Sequence, residues 1–370
     1  MAWTRRDVLW AGACGSLLAA TGCSARQPGG DVPGQLLAAD AVDGHRLRDA
    51  SVRVPEDIEP QRTRVVIVGA GVSGLSAARA LASAGHDDFV LLELDAQAGG
   101  NAASGRNEVS AYPWGAHYLP VIDGEDEALR DWLHSEGIIT GFGPSGLPTY
   151  DETMLCHDPA ERLCVGGRWQ EDLLPRLGVD RSAQAQMERF QREMRGLRDA
   201  TGNDGRPAFA LPLERSSSDP RWTALDRETF ASWLDRRGYT AEPLRWYTDY
   251  CCMDDYGAPA AAVSAWAGMH YFAARRGGAT NAGPDDVLTW PQGNAFLVER
   301  LCHPLRTRLR LRHLTARVTR TRDGVQVDSL DLETNSWRRD LADAAILSVP
   351  QHVLGRLLAD ADRAHAGADP

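Results

Sequence analysis

The chain of 370 residues contains no lysine, because all 40 of its basic residues are arginines. Catalysis through a Schiff base on lysine, or through any side-chain ammonium, is therefore excluded within these residues. Acidic residues outnumber basic ones by 51 to 40, and the formal net charge is -11. A surplus of negative charge is repelled by phosphate backbones, so nucleic acid is not an expected partner.

Metal-binding patterns and long apolar runs are also absent from the sequence. The seven cysteines include no C-x-x-C pair, and no group of cysteines and histidines has the spacing of a zinc site. No apolar run is long enough for a transmembrane helix. Hydrophobic residues make up 43% and charged residues 25%, which is typical of a soluble globular protein. The length predicts about two domains, and no metal site is predicted.

The first residues have the pattern of an export signal. TRRD at residues 4–7 precedes a short apolar run and resembles a bacterial twin-arginine signal. ATGC at 20–23 is similar to a lipoprotein cleavage site with Cys23 as the lipidated residue, although alanine replaces the usual leucine at position 20. Cleavage without lipidation is the alternative. Residues 24–60 are predicted to be a flexible tether. We expect export to the periplasmic side and anchoring to a bacterial membrane through the lipid.

A dinucleotide-binding pattern follows the tether. The run VVIV at 65–68 predicts a buried parallel strand, and the next six residues, GAGVSG, have the G-x-G-x-x-G spacing before a helical pattern. Gly69 permits the tight turn, Gly71 lets the backbone approach a diphosphate, and Gly74 lets the helix pack closely on the strand. The N-terminus of that helix then faces the phosphates.

A second apolar strand is predicted at 89–92 and ends in Glu93. A carboxylate there is placed to accept both hydroxyls of an adenosine ribose. The pair Gly99-Gly100 follows, and a second glycine-rich loop at this point can approach the same diphosphate. Strand, glycine loop, helix, strand and acid together predict a bound dinucleotide. The alternative is a glycine-rich turn without a ligand.

These segments resemble the flavin-containing amine oxidase superfamily, in which a Glu, a short spacer and Gly-Gly-Arg follow the glycine loop. Glu93, Gly99 and Gly100 match this pattern, whereas Asn101 replaces the usual arginine. The resemblance implies FAD as the cofactor. YPWGAHY at 112–118 is similar to the family's Gly-Ala-aromatic turn, whose backbone lies near the isoalloxazine ring. The histidine of this turn is interpreted either as a catalytic group or as a side chain that packing orients.

The resemblance continues near the end of the chain. A strand at 310–318, an Asp-Gly turn at 323–324 and an apolar strand that ends in Val-Pro at 349–350 follow in the family's order. This order implies that Thr315-Ala316 contacts the adenine. The cofactor-binding residues implied in this way are Gly69, Gly71, Val72, Ser73, Gly74, Glu93, Gly99, Gly100, Asn101, Gly115, Ala116, His117, Thr315 and Ala316.

The predicted fold class is α/β, with a Rossmann-type FAD-binding domain of parallel sheet plus small β-meander. A mixed, mostly helical substrate domain is inserted into it. We place the first part of the FAD-binding domain at 61–125, the substrate domain at 126–287 and the second part at 288–370. The family normally continues beyond the Val-Pro strand, so the chain is expected to be truncated at its C-terminus.

The segment WYTDYCCMDDYG at 246–257 combines three carboxylates with three tyrosines. Carboxylates and aromatic faces both attract an ammonium group, so this segment suggests a pocket for a cationic amine. The alternative is a capped helix start with solvated acids. The candidate substrate residues are Asp254, Asp255, Tyr256 and His270.

The predicted function is FAD-dependent oxidation of a C–N or C–C bond by hydride transfer to the flavin. The partners are a small-molecule substrate, such as an amine, and O2 or an electron carrier. No catalytic residue is assigned. One alternative is a flavin-dependent desaturase or isomerase acting on a lipid or sugar nucleotide. Another is a truncated flavin-binding lipoprotein without turnover.

Overall fold

The computed structural model describes residues 41–48, 52–124, 126–158 and 160–359. The helices are α1 Ala41–Arg48, α2 Val72–Ser83, α3 Glu127–Ser135, α4 Arg181–Arg198, α5 Pro220–Thr223, α6 Phe230–Arg236, α7 Glu242–Tyr256, α8 Ala265–Ala273, α9 Ala295–Cys302 and α10 Gln351–Leu357. The strands are β1 Pro60–Arg62, β2 Val65–Val68, β3 Phe89–Leu92, β4 Ser104–Arg106, β5 Ala111–Pro113, β6 Tyr118–Pro120, β7 Ile139–Phe142, β8 Pro148–Tyr150, β9 Arg162–Val165, β10 Arg168–Glu171, β11 Val287–Thr289, β12 Leu309–Arg310, β13 His313–Thr321, β14 Gly324–Asp331, β15 Ser336–Ala342 and β16 Ala344–Leu347.

A parallel sheet of order β12-β3-β2-β16 forms the centre of the dinucleotide-binding part. Strands β2 and β3 read VVIV and FVLL, and most of their side chains are buried. Such continuous apolar strands suit a sheet that is covered on both faces. Helix α2 follows β2 and packs on the sheet through Leu75 and Ala78, which are both fully buried. The carboxyl ends of β2 and β3 therefore lie beside the start of α2.

A second sheet has the strand order β1-β15-β14-β13. Strands β13, β14 and β15 pair antiparallel and form the predicted meander. The register of β13 against β14 shifts between Thr315 and Arg317, so Ala316 is an extra residue with no partner across the ladder. A bulge of this kind leaves backbone groups available to a ligand.

The predicted flexible tether at 24–60 is wrong for part of its length. Residues Ala41–Arg48 form α1, and Pro60–Arg62 form β1, which pairs parallel with β15. The helix is held because Leu47 packs against an apolar cluster of the two sheets and Asp43 pairs with Arg312. Residues 24–40, the signal at 1–23 and the lipidation residue Cys23 lie outside the described residues.

Helices α4, α6, α7 and α8 pack around an apolar cluster of their own, in which Phe190, Phe230 and Tyr239 are completely or almost completely buried. The acidic segment at 246–257 belongs to α7, which ends at Gly257 with a φ of 63°. The alternative of a capped helix start with solvated acids is wrong in its position, because these acids occupy the last turns of a helix, but Asp254 and Asp255 are exposed as that alternative expects. In the part of the chain that the structure describes, no helix is long and apolar enough to cross a membrane.

Candidate functional site

The first glycine loop connects β2 to α2 by a tight turn. Gly69 has a φ of +91°, and its N–H donates to the carbonyl of Leu92 at 2.8 Å. A Cβ on Gly69 would overlap the carbonyl oxygen of Ser348, and a Cβ on Gly74 would overlap the carbonyl oxygen of Gly69. These two glycines are therefore required by the turn and by the packing of helix on strand.

Gly71 differs from its two neighbours in the motif because nothing lies within 4 Å of a Cβ built on it. Its φ is −68°, an ordinary value for any residue. Helix α2 begins directly after Gly71 with no side-chain cap and no acidic residue in its first turn, and Val72 and Ser73 are exposed. Open space in front of an uncapped helix N-terminus suits an anionic group such as a diphosphate.

The second glycine pair lies against the first loop. Gly99 forms a parallel bridge with Gly71, and its N–H donates to the carbonyl of Ala70 at 2.9 Å. Gly99 and Gly100 have φ values of +126° and +55°, which favour glycine. A Cβ on Gly100 would be 3.5 Å from the Cα of Gly71. The structure thus brings the two predicted loops to one place.

The carboxylate of Glu93 points toward the first glycine loop. Its Oε2 accepts from the N–H of Ala70 at 2.7 Å, and its Oε1 accepts from the N–H of Asp95 at 2.9 Å. The residue is 8% exposed, and burial raises the pKa of its carboxyl group against the lowering effect of these hydrogen bonds. Each oxygen has a second lone pair, so the carboxylate keeps acceptor capacity for two ribose hydroxyls.

The predicted adenine-contacting residues are close to this acid. The N–H of His313 at the start of β13 donates to the carbonyl of Glu93 at 2.8 Å. Two residues further on, the Oγ1 of Thr315 is buried and has no hydrogen-bond partner among the described residues. Ala316 follows at the bulge. The backbone position without a ladder partner offers hydrogen-bond groups to the edge of a base.

The Gly-Ala-aromatic turn is joined to the second glycine loop. The N–H of Ala116 donates to the carbonyl of Asn101 at 2.9 Å, and a Cβ on Gly115 would be 2.7 Å from the same oxygen. The N–H of Asn294 donates to the carbonyl of Ala116 at 3.1 Å. The ring of His117 is exposed, and its Nδ1 is 3.1 Å from the carbonyl oxygen of Gly115 in the same turn. The side chain of this histidine is thus oriented within its own turn, and its backbone carbonyl accepts from Oγ1 of Thr289 at 3.0 Å.

The candidate substrate residues are connected to this turn through Arg275. The Nη2 of Arg275 donates to the hydroxyl of Tyr118 at 2.8 Å. Arg275 also lowers the pKa of the Asp255 carboxyl, although burial raises that pKa overall. The pKa of Glu161 is raised by burial and by the nearby carboxylates of Asp172 and Asp254, and Arg275 acts against this rise. Four carboxylates therefore lie near the turn, those of Glu161, Asp172, Asp254 and Asp255; Arg275 acts on Glu161 and Asp255, and Arg176 pairs with Asp172 at 2.7 Å.

Tyr256 and His270 border a groove of about 590 Å³. The hydroxyl of Tyr256 donates to the carbonyl of Ala267 at 2.8 Å, and the Nε2 of His270 is 2.9 Å from the carbonyl oxygen of Ala210. Burial lowers the pKa of His270. The hydroxyl of Tyr256 is thus bonded to helix α8, and the ring of His270 contacts the loop that contains Ala210. Both side chains line the groove.

Glu161, Arg275 and Tyr118 were not among the predicted substrate residues. Arg275 and Arg276 follow the end of α8 and precede two glycines, and an arginine pair in that position is a weak signal for an anion or hydroxyl partner. Glu161 lies just before β9, far from the other members in sequence, and no local pattern marks it. Tyr118 adjoins the turn that had been singled out, so its position was implied by the turn.

Comparisons with known proteins also indicate a Rossmann-like domain at the glycine loops. A model of the NAD(P)-binding Rossmann-like domain matches residues 67–135. An L-amino-acid oxidase of Bothrops jararacussu is 42% identical over 76 residues, which are 20% of this chain and 15% of that protein. An L-amino acid oxidase of Bothrops pictus is 52% identical over 71 residues, which are 19% and 14% of the two chains. The matched stretch is therefore a small part of the length of these relatives.

Two solved structures share the fold over most of the chain. Putrescine oxidase bound to putrescine gives a TM-score of 0.55 at 20% identity, over 81% of this chain and 60% of that one. Cyclohexylamine oxidase from Brevibacterium oxydans gives 0.53 at 20% identity, over 83% and 63%.

The chain has a Rossmann-like core and shares its fold with these two oxidases, so the predicted fold class is confirmed. In sequence, it is similar to L-amino-acid oxidases over about a fifth of its length. The open space at Gly71 and the carboxylate of Glu93 fit the ADP half of FAD, the cofactor that the resemblance implies. The assignment of individual residues to FAD stays a prediction.

Proposed function

We propose that the chain is an FAD-dependent oxidoreductase of the amine oxidase type that oxidises the C–N bond of a cationic amine. One observation carries the proposal. The glycine loops and Glu93 are joined by backbone hydrogen bonds to the turn at 115–118, and that turn leads through Tyr118 and Arg275 to the carboxylate cluster. The cofactor-binding segments and an acidic, aromatic cleft are thus neighbours.

The bound flavin would supply the two-electron acceptor chemistry, with O2 or an electron carrier restoring its oxidised form. The chain's own residues would bind and orient the substrate. Asp254 and Asp255 occupy the last turn of α7, where the helix dipole is already negative. The charges of these acids add to the negative end of the helix dipole. Together with Glu161 they produce a negative potential that favours an ammonium group. The aromatic faces of Tyr247 and Tyr250 on the same helix add to this preference.

An absorbance spectrum of the purified chain tests the proposal first. Bound oxidised flavin is expected to give bands near roughly 375 and 450 nm. Anaerobic addition of a panel of primary amines, amino acids, lipids and sugar nucleotides should then bleach the longer-wavelength band with a cationic amine. Bleaching by a lipid or sugar nucleotide alone would favour a desaturase or isomerase. A yellow protein that no compound bleaches would favour a flavin-binding protein without turnover.

The same assay locates the substrate when it is repeated with Asp254→Asn combined with Asp255→Asn. Removing two charges at a few ångströms from an ammonium should raise KM for a cationic amine by about tenfold and leave kcat nearly unchanged. The matched control is Asp323→Asn combined with Glu333→Gln, which removes the same charge from the turns that flank β14. Equal KM values for the two double variants would contradict a substrate site at the end of α7.

We also propose that the protein is exported and attached to a bacterial membrane through a lipid on Cys23. The TRRD run at 4–7 and the ATGC run at 20–23 support this location, and both lie outside the described residues. Cells that express the chain should incorporate labelled palmitate into it, and Cys23→Ser should abolish the labelling and release the protein from the membrane fraction. Unchanged membrane association of Cys23→Ser would contradict the lipid anchor.

A further inference from the structure

Helix α1 is joined to the adenosine end of the cofactor site by a partly buried ion pair. The Nη2 of Arg312 donates to Oδ2 of Asp43 at 3.0 Å, and these two side chains are 24% and 19% exposed. The backbone N–H of Arg312 donates to the carbonyl of Asp95 at 3.2 Å, and the N–H of the next residue, His313, donates to the carbonyl of Glu93 at 2.8 Å. The ion pair therefore holds the turn that lies against the ribose-binding acid.

The same helix makes apolar contacts with both segments of that site. A Cβ on Gly44 would lie 3.6 Å from Cδ2 of Leu94, so the backbone of α1 passes at contact distance from the residue after Glu93. Leu47 packs against an apolar cluster that contains Leu92 of β3 and Val318 of β13. Helix α1 thus contacts the strand that ends in the acid and the strand that carries the predicted adenine contacts.

Helix α1 and the turn at 312–313 both depend on these contacts for their ordered conformation. A helix of eight residues is marginal on its own, so α1 depends on the contacts with β3 and β13. Arg312 has a φ of +57°, a left-handed conformation that costs about 1 kcal/mol or more for a residue other than glycine. The ion pair with Asp43 compensates for this cost. A ligand that binds the ordered turn must therefore also favour the docked helix.

We propose that α1 retains the cofactor and that Asp43 is a positioning residue that acts through Arg312 on the adenosine-binding segments. The proposal rests on the assignment of FAD to this chain. Asp43 does not contact the cofactor. It fixes the turn at 312–313, and this turn holds the loop at 93–95 and the start of β13 in their binding positions.

The rate of FAD release from the purified full-length holoprotein tests this role, measured as the rise of flavin fluorescence after dilution. Asp43→Ala should speed the release by about tenfold, because a charge-assisted contact in a partly buried position is lost. Asp43→Glu, which keeps the charge that faces Arg312 and Arg46, should restore most of the wild-type rate. Hydrogen–deuterium exchange of residues 41–48 should slow when FAD is added to the apoprotein.

The matched control is Asp87→Ala. It breaks the 2.6 Å ion pair with Arg308, which joins the N-terminal ends of the parallel strands β3 and β12. This variant is expected to lower thermal stability and to leave the rate of FAD release unchanged. Equal release rates for Asp43→Ala and Asp87→Ala would overturn the role of α1 while leaving the proposed function in place. A wild-type chain that binds no FAD would overturn both.

Discussion

Gly71→Ala is expected to leave the fold of the apoprotein intact and to lower its affinity for FAD by about 100-fold. The backbone at Gly71 is ordinary, and a Cβ there meets no other atom within 4 Å. The folded chain therefore tolerates the methyl group. The same methyl group would occupy the space in which the diphosphate approaches the backbone, and overpacking of this kind costs about 3 kcal/mol.

Titration of apoprotein with FAD, followed by quenching of flavin fluorescence, measures this effect. Gly196→Ala is the matched control, because Gly196 lies within α4 and a Cβ there also meets nothing within 4 Å. Both variants should unfold at temperatures close to that of the wild type. If Gly71→Ala binds FAD as tightly as Gly196→Ala does, the diphosphate does not lie against this loop, and the assignment of the whole site is wrong.

Glu93→Gln is expected to weaken FAD binding by about 10- to 100-fold, since a hydrogen bond to a charged group contributes about 1.5–3 kcal/mol. The amide keeps the size of the side chain but offers one acceptor oxygen where the carboxylate offers two. One of the N–H groups of Ala70 and Asp95 would then face an amide nitrogen. The variant should therefore lower both the affinity for FAD and the stability of the apoprotein.

The pH dependence of the affinity for FAD tests whether the charge of Glu93, and not only the size of its side chain, contributes to binding. Burial raises the pKa of this carboxyl above its usual value of 4.5. In the apoprotein the contribution of Glu93 to stability is therefore fully present at low pH and is lost as the pH rises through the raised pKa. FAD offers two hydroxyl donors to the ionised form, so its affinity should increase over that same pH range above 4.5.

Two variants check this pH step by repeated titration with FAD. Glu93→Gln should remove the step altogether. Asp95→Asn removes a negative charge that raises the pKa of Glu93, so it should move the step to lower pH and keep its height. A step that persists unchanged in Glu93→Gln would show that another group is responsible.

The sequence was sufficient to predict the dinucleotide-binding unit because its signals are local. Gly69, Gly71 and Gly74 follow a buried strand at fixed spacing. The structure shows a steric requirement for glycine at 69 and 74, and it shows open space at 71. The second glycine pair was predicted to approach the same loop, and the bridge between Gly71 and Gly99 places it there. Short-range backbone geometry thus determined this part of the fold.

The remaining parts depend on contacts between distant segments, which local patterns do not encode. Composition alone indicated a tether before residue 60, whereas α1 is held by Leu47 and by the pairing of Asp43 with Arg312. The acidic, aromatic cleft also depends on contacts between distant segments. Glu161 and Arg275 meet the acids of α7 only through the packing of separate elements, and neither belongs to a recognisable motif.

The order of the parallel sheet also determines when the cofactor site is completed during synthesis. Strand β3 gains its outer neighbour, β12, from residues 309–310, and β2 gains its own from residues 344–347. The predicted ribose-binding residue Glu93 receives its backbone partners, Arg310 and His313, from the same late segment. We therefore expect the predicted nucleotide site to be completed only after residue 313 has left the ribosome.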